Sequence, residues 1–574
     1  MDRLRQIVAW LGLFLGLAIL ALGLLAPDAM QWRLHLLTGL WLLSLLPRAH
    51  VSRRLPPPAR GVARLTLVVV LALGAVGLQL LREQVVWADA TRERVALLRQ
   101  PAAAAPDAAT AVRPADRTSL GSGRVWPVEA GTATRGAIRD RNGVLLAETR
   151  DGRRVYPLAD LGHIVGFQSR LYGNTGVEAT FDDELSGAST LSPTALLEAR
   201  LLGTPFDPRP ADVRLTIDVE LQKAAQAALG EQPGAVVLLD PRSGEILALA
   251  TYPRFDPNQL VLPERASEAD VAQVQAAWQA LIERQDSPLL NRATQGRYPP
   301  GSVIKTFTAA AALDSGVLSG PEAQVTCPNR LETEAGAPPV VNAVENLARR
   351  TGDPSDLRRV YAWSCNTAFA QIGLALGPER FIEYARRFGL GFADAPSEPP
   401  LRDIAADAGT IAGSAEFLQR PAALADTAFG QGQALVTPLD MALMAAAVAN
   451  NGALMRPYLV QEVRAGDEVR YQARPEVLRQ VITSQAALQM RAVMQTSVEV
   501  GYAAPVALPG VTIGAKTGTA EAPPGAPHAW FVAIAPVEQP RFAVAVIVER
   551  GGEGSRTALP VARQVLAAAL GVQP

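Results

Sequence analysis

The chain has 574 residues, a formal net charge of −1 and a hydrophobic content of 49%, room for roughly two to four domains with sizeable cores. Near-neutral charge with scattered arginines gives no nucleic-acid footprint. Two cysteines, Cys327 and Cys365, are too few for a disulfide framework or a four-ligand zinc site, and without an H-E-x-x-H motif a metalloprotease is excluded.

The apolar excess lies at the N-terminus. Residues 6–26, "QIVAWLGLFLGLAILALGLLA", form an uncharged run long enough to span a bilayer, too long and uninterrupted for a signal peptide. A shorter run, "WRLHLLTGLWLLSLL", starts at Trp32, and a third covers residues 65–81. Arg3 and Arg5 precede the first run, and Arg48, Arg53, Arg54, Arg60 and Arg64 lie between the second and third. The positive-inside rule puts both arginine clusters in the cytoplasm if all three runs cross. Residues 1–83 then form a membrane anchor of three transmembrane helices, N-terminus cytoplasmic and the remaining chain extracytoplasmic; with the second run an interfacial helix, only two runs cross and the large domain returns to the cytoplasm.

Residues 84–125 end in an Ala/Pro/Ser-rich stretch without a periodic apolar face and read as a tether. Residues 126–212 read as a small mixed α/β domain, with a turn at Asn142-Gly143 between strand-like runs. Residues 213–574 form the largest domain. "LTIDVELQKAAQAAL" is an amphipathic helix with Thr216 and Asp218 as candidate caps, and "GAVVLLDPRSGEILALATYP" is a hairpin. Alanine-rich helical segments follow, then a second hairpin, "AWFVAIAPVEQPRFAVAVIVE", and a final helix. Strands at both ends with helices between them predict an α+β domain, an antiparallel sheet packed with helices.

Of the 54 basic residues only Lys223, Lys305 and Lys516 are lysine. In a chain so biased to arginine, a retained lysine points to a task a guanidinium cannot do, and losing a proton is one. Ser302 and Lys305, in "YPPGSVIK", sit three apart at a predicted helix start and share a face. A neutral Lys305 amine could take the Ser302 proton, its pKa lowered by burial beside other cations. An isolated S-x-x-K is more often a capping serine beside a solvated lysine. "SCNTAF" adds Ser364 as a proton relay and Asn366 as a grip on a substrate amide. "KTGTAE" adds Lys516, Thr517, Gly518 and Thr519, a cation and hydroxyls for a carboxylate, with Gly518 admitting a ligand close to the backbone. A phosphate loop is rejected, because the spacing is G-x-x-x-G-x-K-T. Ser-x-x-Lys, Ser-x-Asn and Lys-Thr-Gly in this order form a specific combination.

On these motifs, with "RGAIRDRNGVLLAE", "TIDVELQ" and "GQGQALVTPLDMA", the chain from Arg135 onward resembles the class B, monofunctional penicillin-binding proteins. The resemblance implies a pedestal domain at residues 126–212 and a serine β-lactamase-like transpeptidase domain at 213–574. It implies that Ser302 attacks the penultimate D-Ala carbonyl of a peptidoglycan stem peptide, with Lys305 as base and Ser364 assisting proton transfer. The backbone N–H groups of Ser302 and Thr519 would form the oxyanion hole, and Lys516, Thr517 and Thr519 would hold the terminal carboxylate. β-Lactams would acylate Ser302, and no cofactor is expected. The expected partner is a SEDS-type glycosyltransferase of the RodA/FtsW kind, in cell elongation or cell division. Three spans depart from the single anchor usual in that family. His528, beside Trp530, is expected to be structural, and neither cysteine is given a role. The alternatives are a β-lactamase, a membrane-anchored β-lactam sensor and a non-catalytic cell-wall scaffold.

Overall fold

The computed structural model describes residues 135–188 and 209–573, together with residues 14–16, 18–20, 35, 36, 38, 39 and 43. The chain divides into two compact units, Met1–Arg113 and Pro114–Pro574. In the first unit the described residues are helical, and Gly39 packs so closely on another helical segment that a Cβ there would lie 2.5 Å from Leu20 Cγ. Among the described residues no helix is long and apolar enough to cross a membrane. The expected spans, those positions apart, and the expected tether lie outside the described residues.

The second unit is built on two large sheets, with five two-stranded pairs beside them among the described residues. The larger domain holds a five-stranded antiparallel sheet in the spatial order Gly514–Ala520, His528–Ala535, Phe542–Val548, Gly234–Leu239 and Ile246–Tyr252. Both expected hairpins are in it. Their strands read as unbroken apolar runs because both faces are covered, and nearly every residue of the central strands is buried. Helices Val219–Leu229 and Ala558–Leu570 cover one face through Ala225, Leu229, Val565 and Leu566. The other face joins the main core with helices Lys305–Asp314 and Pro438–Ala449, which are buried almost all round. Of the two expected caps only Asp218 serves, accepting from the Glu220 and Leu221 N–H groups. The Thr216 hydroxyl instead donates to the Ile246 carbonyl at 2.7 Å, joining the first strand of the domain to the sheet.

The second sheet has six strands in the order Glu468–Gln472, Val460–Ala465, Asp212–Leu215, Ile138–Arg139, Leu145–Arg150 and Arg153–Val155. The Asn142-Gly143 turn joins two of them, and the Asp140 carboxylate accepts the N–H groups of Asn142 and Val144. Asp212–Leu215 runs parallel to Ile138–Arg139 on one side and antiparallel to Val460–Ala465 on the other. The sheet therefore passes across position 212/213. At its far end Glu178, fully buried, receives Arg135 and Arg154, each at 2.6 Å, and the Tyr156 hydroxyl at 3.2 Å. These partners compensate a carboxylate that could not otherwise be buried.

Candidate active site

Ser302 sits on a single 3-10 turn, Gly301–Ile304, that leads into helix Lys305–Asp314. Gly301 has φ +53°, and a Cβ there would lie 2.5 Å from the Thr519 carbonyl oxygen. Glycine thus lets the turn reverse against the edge strand Gly514–Ala520 and brings Ser302 beside Thr519. A Cβ at Gly518 would meet Trp530 Cβ and Val303 Cγ1, each at 2.9 Å, so its missing side chain makes room for the Ser302 turn.

One turn further on, Lys305 is fully buried, and its amine touches four oxygens. Nζ lies 3.1 Å from Ser302 Oγ, 3.0 Å from Ser364 Oγ, 2.8 Å from the Ser364 carbonyl and 2.7 Å from Asn366 Oδ1. The carbonyl and amide oxygens can only accept, so they take the two hydrogens of a neutral amine. Its lone pair is left for a serine hydroxyl. Desolvation, reinforced by the Lys516 charge, holds Lys305 well below the ordinary lysine range. Lys516 reaches the other side of Ser364, with Nζ 3.0 Å from Ser364 Oγ and 2.9 Å from the Thr517 carbonyl. Burial lowers its pKa to about 7. The rings of Phe369 and Tyr361 lie 5.6 Å from Lys305 Nζ and 5.5 Å from Lys516 Nζ, partly offsetting the cost of charge on either. Ser302, Lys305, Ser364 and Lys516 thus form one hydrogen-bonded chain.

Ser364 occupies the left-handed region, at φ +58°, immediately before helix Asn366–Arg387. That conformation is strained for a side chain with a Cβ, and here it folds the Ser364 hydroxyl between the two lysines. Asn366 opens the helix. Its Oδ1 is committed to Lys305, while one hydrogen of Nδ2 goes to the Val341 carbonyl at 3.0 Å, which leaves the amide a second hydrogen to donate. On the edge strand Thr517 is 8% exposed, while Thr519 is open to solvent. His528 stands apart from this group, with Nδ1 accepting the Arg550 N–H at 3.1 Å and its ring edge-on to Tyr298.

Three features escaped the sequence. Cys327 and Cys365, given no role there, are joined by a disulfide across 38 residues, with Cα atoms 6.2 Å apart. An even pair in a segment placed outside the cytoplasm was a usable signal. Tyr361, under Lys516 and bonded to the Thr306 hydroxyl at 2.8 Å, looks like any core aromatic in sequence. Asn342 accepts the Asn366 N–H at 2.8 Å from 24 residues away, a pairing no local pattern announces.

Comparison with known proteins places this geometry. Residues 234–567 match the family model of the penicillin-binding protein transpeptidase domain. The chain is 36% identical to peptidoglycan D,D-transpeptidase PbpA of Mycolicibacterium smegmatis over 73% of its own length and 85% of the relative's. It is 28% identical to peptidoglycan D,D-transpeptidase MrdA of Haemophilus influenzae, over 69% of this chain and 62% of that one. Among solved structures, the penicillin G acyl-enzyme complex of penicillin-binding protein A from M. tuberculosis is similar at a TM-score of 0.66 and 34% identity. That match covers 76% of this chain and all of the other.

Proposed function

This chain belongs to the penicillin-binding protein transpeptidase family, and from that membership we infer that it is a class B peptidoglycan D,D-transpeptidase that β-lactams acylate. The Lys305 amine, with four oxygens within 3.1 Å and no carboxylate among them, is the observation that carries the chemistry. In this reading Lys305 takes the Ser302 hydroxyl proton as Ser302 Oγ attacks the penultimate D-Ala carbonyl. The N–H groups of Ser302 and Thr519 receive the oxyanion, the contribution that usually dominates such catalysis. As the peptide C–N bond breaks, the proton passes from Lys305 through the Ser364 hydroxyl to the departing D-Ala amine. An amine from a neighbouring stem then attacks the ester, forming the cross-link and freeing Ser302. Lys516 and the hydroxyls of Thr517 and Thr519 hold the terminal carboxylate, and the remaining Nδ2 hydrogen of Asn366 holds a backbone carbonyl of the stem peptide. A lysine whose pKa burial lowers to about 7 gains charge when a carboxylate arrives, so binding and ionisation support each other.

The reading extends to the whole chain. Residues 1–83 anchor the enzyme in the cytoplasmic membrane with the N-terminus inside, 84–125 tether it, 126–212 form the pedestal and 213–574 the transpeptidase domain. The apolar runs and their flanking arginines support this, as do the exposed Phe14 and Leu15. A SEDS-type glycosyltransferase would meet the anchor and pedestal. The test is to label membranes containing the full chain with a fluorescent penicillin, with and without Ser302→Ala, and follow release. Label that depends on Ser302 and leaves slowly is the expected result. Rapid turnover would make the protein a β-lactamase, and label indifferent to Ser302 would leave a scaffold.

A further inference from the structure

The helix that carries Asn366 begins with an unusual cap. Its own capping residue is Cys365, whose disulfide-bonded sulfur accepts the Ala368 N–H at 3.4 Å and the Thr367 hydroxyl at 3.3 Å. The N–H groups of Asn366 and Thr367 instead point at Asn342 Oδ1, at 2.8 and 3.2 Å. Asn342 follows the short strand pair Arg330–Leu331 and Val340–Val341. Its Nδ2 is tied in turn to the Pro328 carbonyl at 3.0 Å and to the Thr367 hydroxyl at 3.3 Å. The residue before it, Val341, accepts from the Asn366 side chain at 3.0 Å. Both the backbone and the amide of Asn366 therefore depend on two consecutive residues of one hairpin.

We propose that Asn342 is a positioning residue for the transpeptidase reaction: it caps the helix at Asn366, and so aims the Asn366 amide at Lys305 with its free N–H toward the substrate. This rests on the roles given to Lys305 and Asn366 under the proposed function. Asn342 touches neither substrate nor reacting atoms. Its effect passes through Asn366 Oδ1, 2.7 Å from the Lys305 amine, and through the Ser364 turn just ahead of the helix. Losing the cap leaves two N–H groups at the helix start without their acceptor and frees the turn to shift. A displacement of about 1 Å at such a site costs up to about 100-fold in rate.

The test measures acylation of the full-length chain by a fluorescent penicillin across pH, resolving prior binding from the acylation step. Asn342→Ala should slow acylation about 10- to 100-fold with little change in prior binding. Asn342→Asp keeps an acceptor at the helix start and should recover most of the wild-type rate measured at the same pH above its ascending limb. Its added carboxylate favours the Lys305 ammonium, so the ascending limb should move to higher pH by on the order of one unit. Lys516 is the charged group facing Lys305 and is unchanged in both variants. Normal acylation per active site in Asn342→Ala, with only a lowered Tm, would reduce Asn342 to a structural part and overturn the proposal. If Asn342→Ala does not fold, an unshifted limb in Asn342→Asp overturns it. Failure of the wild-type chain to label at Ser302 would instead overturn the transpeptidase reading, and this inference with it.

Discussion

Lysine is so scarce in this chain that its positions read as choices, and the structure puts two of the three on either side of one serine hydroxyl. The pH dependence of acylation follows from the opposite duties proposed for them. Lys305 must be neutral to accept a proton, so the rate rises as pH passes its depressed pKa. Lys516 must be charged to hold a carboxylate, so the rate falls as pH passes about 7. Second-order acylation of the free enzyme should be bell-shaped, its limbs belonging to the coupled pair rather than to either amine. Lys516→Arg should remove the descending limb, because a guanidinium keeps its charge. Lys305→Arg should lose about 10²- to 10⁴-fold at every pH for the same reason. A profile still rising through pH 9 in the wild type would refute the assignment of Lys516. These residues were legible because their chemistry and order are carried by residue type alone. That Gly518 also makes room for Val303 was not legible, because residue type does not say which side of a strand is crowded.

The start of helix Asn366–Arg387 is held by a disulfide as well as by Asn342. Cys365 lies between Ser364 and Asn366, so the bond ties the segment that holds both groups to Cys327. Closing a loop between residues 38 apart removes denatured-state entropy worth about 3–4 kcal/mol by the chain-entropy account. Reduction, or Cys327→Ser with Cys365→Ser, should therefore lower Tm by several degrees and slow acylation, because the Ser364 turn gains freedom. Thermal unfolding and penicillin labelling with and without reductant measure both effects. An unchanged rate beside a lowered Tm would show that Asn342 alone suffices to hold the turn. At this scale the hairpins were readable, since unbroken apolar runs flanked by turn residues announce buried strands. The two-residue strands Arg330–Leu331 and Val340–Val341 were not. They have no period to detect, and their importance comes from delivering Asn342 to the helix start.

Across the whole second unit, the six-stranded sheet joins residues some 245 positions apart, with Val213 paired to Val463 and Leu215 to Val460. Nothing local in either stretch names the other, which is why the sequence divides the chain at 212/213 while the strand Asp212–Leu215 serves both sides. The division has a measurable consequence. Val213, Leu215, Val460 and Val463 are buried in the sheet core, and burying each such side chain contributes about 1.5–3 kcal/mol. A fragment starting at residue 213 keeps part of the shared strand but loses the Ile138–Arg139 strand that covers it. The cut leaves an unpaired strand edge and exposes apolar faces, which invites edge-to-edge association. A fragment of residues 135–574 should accordingly unfold cooperatively as a soluble monomer. One of residues 213–574 should melt several degrees lower and aggregate, even though every motif residue from Ser302 to Thr519 is present. Differential scanning calorimetry with light scattering would distinguish them. Equal Tm values and a monomeric shorter fragment would mean that the sheet is continuous in geometry but divided in energy, and that residues 135–212 can move independently of the active site.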